Sequence, residues 1–180
     1  MRYSNTLLEE ELKNRVGEDF FADFNHSTIK GRVDFCIADK QTFMGEPIEY
    51  LWAEAKRGES NLDHALVQLI LTIGRAQLHT KQSPPPYLGA FDATRIYFIP
   101  FHKLHDIFWM NDFNWSVTPS DHSTKEFALL AERVQGIIEE ENLTFDFVKD
   151  EKELRKFIKK NFVVGKEKTT KIPITKTNFI

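Results

Sequence analysis

Cysteine, glycine and proline are scarce: one, eight and seven in 180 residues, and each scarcity removes a class of protein. With Cys36 alone, no disulfide closes within the chain and no thiolate cluster holds zinc, which fits a reducing compartment. Cys36 itself reads as a small buried residue in an apolar run. The glycines form no glycine-rich cofactor loop. Long apolar runs are missing too: Leu66 to Ile73 is short and broken by Gln68 and Thr72, so no membrane span is expected. The N-terminus is polar and acidic after Leu8, without a signal-peptide pattern, and a cytoplasmic location is the expectation. What remains is core material. A hydrophobic content of 41%, with sixteen phenylalanines, supplies one domain over residues 1–162.

Two strand-like runs carry the chemistry. Gly31 to Ala38 alternates as one strand and Ile48 to Lys56 as the next, with a turn region around Gly45 and Pro47 between them. Side chains on a strand alternate faces, so Glu54 and Lys56 project together while Ala55 points away. Antiparallel pairing of the two runs brings Asp34 beside Glu54. Two converging carboxylates suit a hard divalent cation such as Mg²⁺, with Mn²⁺ as a substitute, because such ions take oxygen ligands and keep waters that a phosphate can displace. An ammonium next to them orients an attacking water and offsets charge that builds on phosphorus.

Asp34 followed by Glu54-Ala55-Lys56 resembles the PD-(D/E)xK nuclease superfamily, although Gly31-Arg32-Val33 stands where the family name has proline. The resemblance implies an α/β fold: a restriction-endonuclease-like αβββαβ core with a mixed central sheet flanked by helices, followed here by C-terminal helices. Strand candidates at Tyr87 to Phe91 and Arg95 to Phe101 complete that order. It also implies a glutamate on the first helix and a glutamine on the helix after the lysine.

For the first, Asn5 to Phe24 places Leu8, Leu12, Val16 and Phe20 at helical spacing behind a cap at Ser4 or Asn5. At about 100° per residue Glu9 falls among these apolar positions, so Glu9 is the expected third metal carboxylate with Asp34 and Glu54, and Glu11 the second choice. The competing reading is that Glu9, Glu10 and Glu11 only favour the helix dipole. For the second, Asn61 to Ala76 reads as a helix burying Leu62, Leu66, Leu69, Ile70 and Ile73, with Gln68 beside that face. Gln68 matches the family's glutamine; Thr72 stands where its tyrosine is expected. The catalytic set is thus Asp34, Glu54, Lys56 and Gln68. His64, one turn before Gln68, reads first as a structural residue.

A modest net charge of −3 hides a segregation: residues 149–180 hold ten Lys or Arg against four Asp or Glu, leaving the preceding residues with 14 against 23. A core this acidic is poorly equipped to grip duplex DNA alone, although Lys30, Arg32, Lys56 and Arg57 cluster near the proposed site. Recognition is therefore expected from another region. The chain resembles the N-terminal endonuclease part of type II restriction enzymes that fuse nuclease, methyltransferase and target recognition in one polypeptide. That resemblance covers roughly the first hundred residues and implies double-stranded DNA as substrate, linked methyltransferase and recognition regions, and dimerisation on DNA. Residues 163–180, rich in Lys and Thr, are expected to be a linker or the start of a following region. Helices are expected at Ser123 to Glu140 and Glu151 to Asn161. His102, His105 and His122 lack accompanying ligands and read as surface residues. The aromatics from Phe108 to Trp115 read as packing beneath a loop, and Ser83 to Pro86 as a rigid turn. The rival expectation is a non-catalytic domain of the same fold that docks DNA or a subunit.

Overall fold

The computed structural model describes residues 2–27 and 33–163. Among these, five strands form one mixed sheet in the order β1-β2-β3-β4-β5. β1 (Phe35–Phe43) and β2 (Glu46–Ala55) make an antiparallel hairpin whose turn residues Met44 and Gly45 both have positive φ, the conformation that a tight primed turn needs. β2 then runs parallel to β3 (Tyr87–Phe91), and the crossover between them is α2 (Leu62–Ala76) with the short α3 (Leu78–Lys81). β4 (Arg95–Pro100) and the short β5 (Thr144–Asp146) extend the sheet antiparallel.

Alternation along the strands gives the sheet two apolar faces. Cys36, Trp52, Leu88, Ala90, Tyr97 and Ile99 face α2 and α4 (Lys125–Glu141). Phe35, Leu51, Ala53, Phe91, Ile96 and Phe98 face α1 (Glu9–Phe20) and α5 (Glu151–Asn161). The result is a helix–sheet–helix sandwich in which the central strands are buried on both sides.

Several expected elements recur within a residue or two: α2, β3, β4, α4 and α5. Two do not. α1 begins at Glu9 behind Leu8, which makes no side-chain cap and is 54% exposed, so neither Ser4 nor Asn5 caps it and Leu8 is no part of the buried stripe. Among the described residues between α1 and α2 there are two strands rather than three; in the place of the third, Asn25 forms an isolated antiparallel bridge to Ala38 on the open edge of β1. Residues 164–180, most of the expected linker, and Lys30, Gly31 and Arg32 lie outside the described residues.

Candidate active site

The site forms where β1 begins and β2 ends. Phe35 pairs with Ala53, so the same antiparallel register carried one residue further sets Asp34 opposite Glu54. Glu54 points to the face that carries Trp52, the face covered by α2, where it meets Gln68. Lys56 is anchored by its backbone N–H, which donates to Phe91 O at 2.9 Å. The loop that follows is pinned in turn: Asp92, 1% exposed, accepts from the backbone N–H groups of Ser60 at 2.9 Å, Thr94 at 2.9 Å and Arg95 at 3.1 Å. Asp92 is the most buried carboxylate described, yet its lone pairs are spent on the backbone.

α2 delivers Gln68. Its N-terminus is fixed by Asn61, whose side chain accepts from Asp63 N and His64 N, and its apolar stripe locks the rotation that turns Gln68 toward the sheet. Gln68 Oε1 accepts from Lys56 Nζ at 3.0 Å, and Gln68 Nε2 donates to Glu54 Oε1 at 3.2 Å. Only this orientation of the amide satisfies both an ammonium and a carboxylate. Lys56 Nζ also lies 3.3 Å from Glu54 Oε1, closing a three-membered network. Thr72, in the tyrosine position of the resemblance, donates its hydroxyl to Gln68 O at 2.9 Å.

Electrostatics single out Glu54. Burial pushes its carboxyl up to about 7; the Lys56 ammonium pulls it down, while the negative charges of Asp34 and Glu9 raise it. A carboxylate so placed is short of positive charge.

Asp34 is held from the other side. Lys13 Nζ lies 2.9 Å from Asp34 Oδ2 and 2.9 Å from Glu10 Oε2. Burial works against the Lys13 charge, but the hydrogen bonds to Glu10 and Asp34 outweigh it and hold the ammonium above the ordinary lysine range. The sequence reading missed Lys13; the signal was its place one turn after Glu9, on the buried side of α1. Glu9 itself is exposed, as is Glu11, so the expected place of Glu9 on the core-facing stripe is corrected. The physical reason is the later start of the helix, which leaves Glu9 in an open first turn. Among the described residues no three His, Cys, Asp or Glu side chains converge as a ready-made cation site. Glu9 lies near enough for its negative charge to raise the Glu54 carboxyl.

The far rim is made by histidines. His122 Nε2 is 3.5 Å from Gln68 Oε1, and the His64 and His122 rings are 5.5 Å apart. His122, read from sequence as a surface residue, is exposed but stands at the site. No sequence period marks it, because an irregular segment carries it there. His102 and His105 take no part in the polar contacts of the site. Arg57 donates to Thr6 O at 3.3 Å rather than to a site carboxylate. Cys36 is fully buried, its thiol 3.6 Å from Val33 O, and Trp115 and Phe108 pack under the loop as expected while Trp109 is 58% exposed. Among the described residues no helix is long and apolar enough to cross a membrane.

No family model, curated protein or solved structure matches this chain.

Proposed function

We propose that this chain is a Mg²⁺-dependent endodeoxyribonuclease domain of the PD-(D/E)xK type, the cleavage module of a restriction-modification enzyme. The observation that carries the reading is the closed network of Glu54, Lys56 and Gln68 with Asp34 opposite in register. The sheet agrees in kind: a hairpin, a helical crossover to a parallel strand, and an edge bridge at Asn25 where the core's remaining strand belongs.

The donor set fits a hard divalent cation. Asp34 and Glu54 offer oxygen ligands only, and Glu54 sits in a desolvated place where its charge is under-compensated. A cation there supplies Lewis acidity toward a phosphate oxygen and a more acidic bound water. The chain's own residues do the rest. Lys56, fixed by two acceptors, presents its ammonium to an attacking water and to the charge that develops on phosphorus. Gln68 keeps that ammonium aimed and Glu54 oriented, so little reorganisation is left for the moment of reaction. Glu9 is an outer carboxylate that adds negative potential.

Double-stranded DNA is the proposed substrate, with target recognition and methyl transfer supplied by further regions of a longer chain and paired cleavage by two copies meeting on DNA. A supercoiled-plasmid nicking assay at low salt with Mg²⁺ or Mn²⁺, beside calorimetric Mg²⁺ titration, tests the reading. Nicking and Mg²⁺ binding that both disappear in Asp34→Ala are expected. A folded parent that binds no divalent cation and nicks nothing overturns it in favour of a non-catalytic docking domain.

A further inference from the structure

The proposed cleavage site uses Asp34, Glu54, Lys56 and Gln68, and leaves two histidines on its rim without a task. His64 lies in the first turn of α2, one turn before Gln68, and His122 comes from the segment leading into α4. Both rings rest on Phe127, a residue 2% exposed: His122 stacks on it at 4.2 Å and His64 meets it edge-on at 5.2 Å. The platform is firm, because the Thr124 side chain accepts from Phe127 N at 3.1 Å and caps α4. The turn bearing His122 is firm as well, since Asp121 Oδ1 accepts from Ser123 N at 3.0 Å and from Ser123 Oγ at 2.5 Å. Gln68 Oε1 thus receives Lys56 Nζ at 3.0 Å with His122 Nε2 at 3.5 Å on its other side.

Two imidazoles, an ammonium and the start of a helix meet here, and each attracts an anion. We propose that His64 and His122 form a backbone-phosphate contact for the DNA substrate, taking a phosphate next to the one that Lys56 faces. The inference rests on the nuclease reading of the site. Its electrostatics are consistent with an edge waiting for an anion. Burial, His64 and Lys56 all lower the proton affinity of His122, against Asp121, which raises it. A phosphate between the rings reverses that balance for His122, which then holds a proton more readily as DNA binds. Such a contact also answers a deficit in the chain, whose residues before 149 carry 14 basic against 23 acidic side chains. DNA affinity is then expected to draw in part on His122, whose proton affinity rises once the substrate arrives.

The test compares the parent with His64→Ala, His122→Ala and the double variant, using fluorescence anisotropy of a short labelled duplex with Ca²⁺ in place of Mg²⁺. Binding is read at about pH 6 and about pH 8, on either side of the imidazole range. Thermal melting and Mg²⁺ calorimetry on the same samples report folding and the cation site. The parent is expected to bind more tightly at the lower pH; the double variant is expected to lose about tenfold there, to lose the pH dependence, and to keep Mg²⁺ binding. A folded double variant that binds the duplex like the parent at both pH values overturns the proposal. If that same parent nicks plasmid, the nuclease reading stands without it. A parent that binds through these histidines yet nicks nothing upholds the contact and overturns the nuclease reading. A parent that neither binds nor nicks overturns both.

Discussion

Lys13 on the first helix and Asp34 at the mouth of the first hairpin are joined by a 2.9 Å ion pair, so the site contains one ammonium for each of its two facing carboxylates. The Lys13 side chain is 10% exposed and that of Asp34 46%, so the pair is half screened and worth about 1 kcal/mol. Its local effect is larger than its effect on stability. Lys13→Met keeps the apolar stem and removes the charge, leaving Asp34 and Glu54 short of a cation. Calorimetry is expected to show Mg²⁺ binding about tenfold more tightly in that variant, and melting in EDTA a loss of about 1 kcal/mol. Weaker Mg²⁺ binding would instead make Lys13 a residue that holds Asp34 in place.

Glu54 sets a pH dependence whose direction follows from its carboxyl standing at about 7 in the fold against 4.5 in the open chain. Below 4.5 both states are protonated and Glu54 costs nothing. Between 4.5 and about 7 the unfolded chain releases the proton that the folded one keeps, so stability falls as pH rises, and above about 7 the full penalty is present. That penalty is at most about 3 kcal/mol. Glu54→Gln is therefore expected to melt above the parent at alkaline pH and level with it near the acid end. Mg²⁺ is expected to raise the alkaline melting temperature of the parent and not of the variant.

What the sequence made legible here is what strand and helix periods encode. Alternation places Glu54 and Lys56 on one face, and the observed Phe35–Ala53 pair, carried one residue further, sets Asp34 opposite Glu54. The 3.6-residue period of α2 sets Gln68 at the edge of the buried stripe, where it meets both Glu54 and Lys56. Contacts made by long side chains or through irregular segments escaped. Lys13 reaches Asp34 by its flexible stem, which no hydrophobic pattern records. His122 is positioned by an Asx-type turn and a stacking ring, neither of which has a period. The error at Glu9 was one of boundary: extending the helix back to Asn5 made an open first turn look like a core face.

Gln68 separates positioning from binding. Its amide touches Lys56 and Glu54 but is a poor ligand for a hard cation beside two carboxylates. Gln68→Ala is expected to lower the nicking turnover by about 10–100-fold while leaving Mg²⁺ affinity nearly unchanged. An equal loss in Mg²⁺ affinity would place Gln68 among the ligands.

Two helical glycines give opposite predictions from the same substitution. A Cβ at Gly136, on the exposed side of α4, meets no atom within 4 Å, so Gly136→Ala gains helix propensity alone and is expected to stabilise by about 1 kcal/mol. A Cβ at Gly74 in α2 would stand 2.1 Å from Cε3 of Trp115. That ring has little room to retreat, because Phe108 stacks on it at 5.8 Å and Phe113 tilts against it at 4.4 Å. The clash outweighs the propensity gain, and Gly74→Ala is expected to cost about 2 kcal/mol in chemical denaturation. Trp115 docks the segment that leads to His122 onto α2. Displacing it should therefore loosen the histidine rim before it touches Glu54 or Lys56. Tryptophan fluorescence should shift to the red and duplex affinity should fall with Mg²⁺ affinity retained; loss of both together would mean that the loop and the carboxylate site unfold as one unit.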